Sequence, residues 1–468
     1  MSQNPPTLLA PDLQAHAADI QAILASGFTP FRHAAYRLLQ VTDAGKARRW
    51  LRGVLEAGFV KSVKHVGKDD SKLDRPYEHD QLAMLAFSHA GLGAFGLGPS
   101  DDFPFPTPFV RGPRNLPEPG PWPGSGEVHV LLAHYQDRPG PGDARLRPDG
   151  QLHGLQVRGE VDTCPSYIEP GPDGRSTEPF GFRDGIAQPF IDGLRRRPPR
   201  NPPHPDDVLA PGEFILGHRN EYGELAYCPD VAGWTGGPGR RFAMNGSYLA
   251  VQQIVQHVQR FRAFEAAQAP VGPHEPTLTE KMVGRRKDGQ PLVACPLTRD
   301  PADPARDHFR YRVEDFDGLQ CPRGAHVRRA NPRDMLGWDV ASGIATAKLH
   351  RLLRRGRVYA GKPGGPNADL PTRDGDPGPA EGLFFMALNA DLERQFELVE
   401  ARWLVSRHFA DLADEDDFAG STPSIRAFTA QGLPTGERHD NLSPFTRLAG
   451  TGYFFVPSLG ALAFMARD

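Results

Sequence analysis

GLFFMALNADLERQFELVEARWLV, residues 382–405, reads as a strand running directly into a helix, because a continuous apolar run gives way to apolar residues at helical spacing. SYLAVQQIVQHVQRFRAF at 247–264 has the same form, and GYFFVPS at 452–458 supplies a closing strand. In the first half, AYRLLQV at 35–41, LAMLAF at 82–87 and EVHVLLAH at 127–134 read as strands. A helix over 44–57 carries Ala47, Leu51, Val54 and Leu55 on one stripe and stops at Gly58. Residues 12–25 show helical spacing with Asp12 placed to cap. Each half holds strands and helices and ends on a strand, which predicts the α+β class, with two related modules whose antiparallel sheets carry helices on one face. The Pro/Arg-rich run from Leu194 to Pro211 cannot build a core, so it marks the boundary between an N-terminal module, 1–210, and a C-terminal one, 211–468.

Composition narrows the function. The 468 residues include 51 glycines and 48 prolines, about a fifth of the chain. That is below the roughly 25–30% at which disorder becomes the default, so these residues punctuate ordered loops, such as Phe103–Pro123 and Lys362–Ala380. Lys and Arg number 54 against 57 Asp and Glu, and a net charge of −3 offers nothing to a nucleic acid. The N-terminus has no basic start followed by an apolar run, and no stretch is long and apolar enough to span a bilayer, so a cytoplasmic protein without a membrane partner is expected. Cys164, Cys228, Cys295 and Cys321 are too widely spaced for a zinc knuckle or a dense disulfide framework and read as buried free thiols.

Four motifs bear on chemistry. Gly91-Leu-Gly93-Ala-Phe-Gly96 matches a dinucleotide fingerprint, but a proline-rich loop follows instead of a helix, so these are turn and packing glycines. In Glu178–Phe190, Asp184 stands between an arginine and a glycine in an apolar setting; it either closes an Asx-type turn on its own backbone or needs a partner. Cys321–Arg333 sets one histidine, His326, among four arginines. A lone histidine is usually structural, yet cationic surroundings suit a haem, whose propionates need arginines while its iron takes a neutral ring nitrogen. No Cys-x-x-Cys-His is present, which argues against covalent attachment. Leu349–Tyr359 reads as a helix end passing into an extended segment, broken at Gly356, with arginines that could simply complement a helix C-terminus.

Together these segments resemble the signature set of the dye-decolourising peroxidases: Gly181-Phe-Arg-Asp184-Gly185 as G-x-x-D-G, GAHVRRANPRD around His326, and RLLRRG, in which Arg354 rather than Arg355 takes the matching place. NGSYL, KMVGR, GLFF, NADLERQFE and the terminal FFVPS extend the resemblance along most of the chain. It implies two ferredoxin-like domains with peripheral helices, akin to the dimeric α+β-barrel arrangement, and one b-type haem per chain. His326 would bind the iron, and Asp184 and Arg354 would serve the peroxide side as proton carrier and fixed cation. Arg333 and Arg329 are the propionate partners nearest in sequence, and Leu383 and Phe385 would wall the peroxide side. Hydrogen peroxide and small-molecule or dye reductants would be the substrates, and a homodimer is compatible. Trp338, Trp403, Tyr359 and Tyr453 could carry radicals, though such aromatics are more often core. Where some relatives place an Asp to polarise the proximal histidine, this chain has Phe445, leaving Glu393 or Glu397 as substitutes. The alternative from another class is a haem-handling protein that keeps the histidine without peroxidase turnover.

Overall fold

Nine strands pair edge to edge in one antiparallel sheet: β1 (His33–Val41), β2 (Gln81–Phe87), β3 (Val130–Gln136), β4 (Leu155–Thr163), β5 (Ser247–Gln256), β6 (Leu353–Arg354), β7 (Arg357–Ala360), β8 (Glu381–Asn389) and β9 (Thr446–Val456). The computed structural model describes residues 13–66, 80–113, 127–163 without 139 and 141, 177–194, 203–293 without 237–239, 270 and 273, 307–361 without 308, 380–419 and 426–467. Strand order is β4-β1-β3-β2-β9-β5-β8-β6, with β7 also on β8. The strands of the two sequence halves meet at β2 and β9, where Phe87 opposes Phe455. The sheet therefore runs through both halves and, among the described residues, does not close into a barrel. The core of the Leu194–Pro211 linker, 195–202, and residues 362–379 of the second Gly/Pro-rich loop lie outside the described residues.

Strand residues alternate between two cores, as a pleated strand requires. Tyr36, Met84, Val251 and Phe384 pack on one side. Leu39, Leu85, Ala250 and Phe455 pack on the other, under the helix Ala44–Glu56, whose Trp50, Leu51 and Val54 are buried there. That helix begins where Asp43 accepts the Lys46 N–H at 2.9 Å, and Gly58 at φ +67° lets the chain turn away.

One expected helix is mostly absent. Over the described part of 12–25 only Leu13–His16 is α-helical, with a single 3₁₀ turn at Ala22–Leu24. Gln21 is extended and buried, and its amide donates to Leu85 O at 3.0 Å and Pro457 O at 2.8 Å. Tertiary hydrogen bonds thus override local propensity here. Gly91 lies in a short helix, His89–Ala94, where a Cβ would come within 2.0 Å of His129 O, so close packing explains the glycine. Cys228 and Cys321 are buried free thiols; Cys164 and Cys295 lie outside the described residues. No described helix is long and apolar enough to cross a membrane.

Candidate active site

A cavity of about 340 Å³ opens between the 178–188 loop, the His326 helix, strands β5, β6 and β8, and the helical run after β8. Three sequence segments expected to act together do meet there, since His326, Asp184 and Arg354 all line it. So do Arg333, Leu383 and Phe385.

The Asp184 loop is held from within. Phe180 and Phe182 are buried among Phe261, Met282 and Phe445, with Phe180 stacked on Phe261 at 4.3 Å. The buried Glu178 carboxylate accepts the N–H of Phe180 (3.0 Å) and Phe182 (2.8 Å) and the Gln256 amide (2.6 Å). Burial pushes the Glu178 carboxyl up to about 7, against the pull of these donors. Gly181 and Gly185, at φ +92° and +81°, supply the turns that a side chain would strain. Asp184 is exposed to the cavity, and its Oδ1 accepts the Gly185 N–H at 2.6 Å.

Arg354 reaches the cavity from β6. Its Nη2 donates to Ile186 O at 2.6 Å and its backbone N–H to Gln188 Oε1 at 3.1 Å, so it clamps the Asp184 loop to the sheet. Arg355 points elsewhere: Nε donates to Ile23 O at 2.8 Å and Nη2 to Leu24 O at 3.0 Å. Alternation along an extended segment separates the neighbours.

His326 opens a five-residue helix, His326–Ala330. Its Nδ1 faces both oxygens of buried Asp416, at 3.2 and 3.1 Å, so Nδ1 carries the shared proton and Nε2 is left for another ligand. Asp416 also accepts the N–H of Phe418 (2.9 Å) and Ala419 (2.8 Å). Burial alone would lower the His326 pKa, but the charge and hydrogen bond of Asp416 reverse this and raise it above its ordinary value. Burial would likewise lift Asp416, yet His326 and the other donors hold it below the usual carboxylate value. Neither acid expected in this role fills it. Glu393 is exposed, and Glu397 is turned to the Tyr453 hydroxyl at 3.1 Å.

Arg329, expected at a propionate, does not reach the cavity. Its guanidinium is fully buried and donates to the carbonyls of Gly324, Trp403, Leu404, Ser406 and Asp414, outside the cavity lining. Arg328 pairs with Asp315 at 3.0 Å. The positive charge around His326 therefore mostly braces its loop. Arg333 does line the cavity, bound to Asp307 at 2.9 Å. Trp338 is 87% exposed, whereas Tyr359, Tyr453 and Trp403 are buried.

After β8 the chain winds with widened turns: the Glu397 N–H donates to Leu392 O (2.8 Å) and the Val405 N–H to Glu400 O (3.1 Å). Such five-residue bonds are frequent at functional sites, and here they present Phe396, Val399, Glu400 and Leu404 to the cavity. Glu400 is buried, takes a 3.3 Å bond from the Gln252 amide, and burial lifts its carboxyl to about 7. A folded value above the ordinary 4.5 means that the protonated form favours folding, so this contribution is present below 4.5 and lost as pH rises through 7. Glu400→Gln is expected to remove that loss, making the variant more stable than the parent by roughly 3 kcal/mol at pH 8 but not at pH 4.5. Urea unfolding at both pH values measures it; parallel pH dependence in the two proteins would count against the assignment.

An acid, an arginine and a carboxylate-backed histidine from three segments line one cavity beside an open α+β sheet, and the chain's curated relatives are peroxidases. No family model matches the chain. A multifunctional dye peroxidase of an Amycolatopsis species is 28% identical over 485 residues, 96% of this chain and 93% of that protein. Peroxidase 2 of Mycetinis scorodonius is 28% identical, covering 81% and 75%. Among solved structures, an ancestral D-type dye-decolourising peroxidase superposes with a TM-score of 0.74 at 24% identity, covering 97% and 99%. The chain thus resembles the dye-decolourising peroxidases along most of its length, and its curated relatives and structural neighbours are of that kind.

Proposed function

We propose that the cavity holds one b-type haem and that the protein uses it to reduce hydrogen peroxide at the expense of dyes, phenols and other one-electron donors. One observation carries this reading: a carboxylate-backed histidine with a free ring nitrogen shares a cavity with an acid and an arginine from two other segments. The lining suits the group, with apolar walls from Val327, Ala330, Val399 and Leu404 and several arginines for carboxylates. Bound haem would supply the iron to which peroxide binds and the electrons for its reduction.

His326 would hold the iron through Nε2, with Asp416 fixing the ring's tautomer and orientation. Asp184 Oδ1 is occupied by Gly185, and Oδ2 remains to take the proton that peroxide must lose and to return it to the departing oxygen. Arg354 has guanidinium N–H groups beyond the one on Ile186 to face the charge growing on that oxygen. Arg333 would meet a propionate. Leu383 and Phe385 would keep the peroxide side narrow, so bulky dyes would give up electrons at the surface and small phenols nearer the cavity. A structural relative has been solved in complex with 2,6-dimethoxyphenol, in keeping with phenols as donors.

Rapid mixing tests this. The protein loaded with haemin is expected to show a Soret band that shifts within milliseconds of adding one equivalent of peroxide and returns when 2,6-dimethoxyphenol or an anthraquinone dye is added. A band that peroxide leaves unchanged would favour the haem-handling alternative.

A further inference from the structure

Six arginines line the cavity: Arg183, Arg285, Arg333, Arg351, Arg354 and Arg357. Five are committed. Arg285 and Arg333 share Asp307, at 2.6 and 2.9 Å; Arg351 binds Asp207 at 2.7 Å. Arg354 donates to Ile186 O, and Arg357 to the carbonyls of Gly27, Phe28 and Phe31. Arg183 differs. Among the described residues its buried Nη1 has no hydrogen-bond partner.

The residue is nonetheless firmly placed. Its backbone N–H donates to Lys287 O at 2.9 Å, and its side-chain stem lies along the turn at Gly289, where a Cβ would meet Arg183 Cδ at 3.2 Å and Cβ at 3.3 Å. A buried guanidinium N–H without an acceptor is costly, since burial strips it of water with nothing in return. Fixed stem, buried donor and cavity position describe a group waiting for an anion. Nearby, the two arginines on Asp307 leave an excess of positive charge. An arginine fork matches a carboxylate in geometry as well as charge.

We infer that Arg183 binds a haem propionate carboxylate, taking the place expected for Arg329. This rests on the haem reading above. Asp184, the next residue, would then be positioned relative to the cofactor by a contact from its own loop, so that one short segment both anchors the haem and serves peroxide.

The test compares haem loss from the holoprotein to apomyoglobin, for protein loaded with haemin and with haemin dimethyl ester, whose propionates carry no charge. Arg183→Gln is expected to speed loss of haemin roughly tenfold, the order expected for one charge-assisted hydrogen bond, and to leave loss of the ester unchanged. Arg183→Lys, which keeps the charge and the stem, should restore most of the retention and guards against a folding defect in the glutamine variant. Equal rates for parent and glutamine variant with haemin would overturn the inference, as would equal acceleration of haemin and ester. So would unchanged haemin loss together with a raised KM for a sulfonated dye but not for a neutral phenol, which would make the anion a reducing substrate. A parent chain that never retains haemin sinks both readings, whereas a retentive parent with an unaffected variant sinks only this one.

Discussion

Arg354→Ala is expected to slow the reaction with peroxide by roughly 10²–10³-fold, the usual cost of removing one preorganised donor from a developing negative charge. Stopped-flow rates at limiting peroxide measure it. The matching substitution at Arg355 should leave that rate alone, because its guanidinium serves Ile23 O and Leu24 O away from the cavity. Its cost should appear in stability, roughly 1–3 kcal/mol for carbonyls left without donors. Arg354 also anchors the loop through Ile186 O, so its loss shifts Asp184 as well as removing a charge. Arg354→Ala and Asp184→Asn should therefore combine less than additively, as residues of one unit do. Arg354→Lys retains a point charge without the planar fork and should fall between parent and alanine variant. Equal peroxide rates for the Arg354 and Arg355 variants would remove Arg354 from the chemistry.

What the chain announces and what it conceals follow from the range of the interactions involved. Residues 382–405 declare a strand and helix because apolar spacing is local, and both elements stand where expected. Continuity of the sheet is not local: β2 and β9 meet at Phe87 and Phe455, far apart in sequence, and nothing in either strand names its partner. The charge around His326 can be read, but not its direction, so Arg329 looks available in the sequence although five carbonyls claim it. Asp416 is harder still. It sits in Asp414-Glu415-Asp416-Asp417, a run of acids that ordinarily signals a solvated face. In the fold Asp414, Asp416 and Asp417 are all buried, with Arg438 on Asp414 and His326 on Asp416. The one available hint is the apolar Phe418 immediately after the run, which packs against the His326 ring at 5.9 Å.

His326→Gly is expected to emerge from desalting without haem, and added imidazole should restore the Soret band by filling the vacated position. A histidine-free variant that kept its haem would show that the iron is held elsewhere. Asp416→Asn is the subtler test, because it leaves the imidazole in place and weakens only its support; losing the carboxylate behind a metal-bound histidine costs roughly 10–100-fold in metal affinity. The sign of the pH effect follows from the same pair. Binding iron requires Nε2 without a proton, and Asp416 raises the His326 pKa above its ordinary 6.5, so haem affinity should fall as pH drops through that raised value. Removing the carboxylate lowers the imidazole pKa, and the midpoint of the affinity profile should move to lower pH in Asp416→Asn even as its plateau weakens. An unmoved midpoint would mean that Asp416 only packs against the ring. A midpoint that moves with the carboxylate makes it the group that sets the basicity of the ligand.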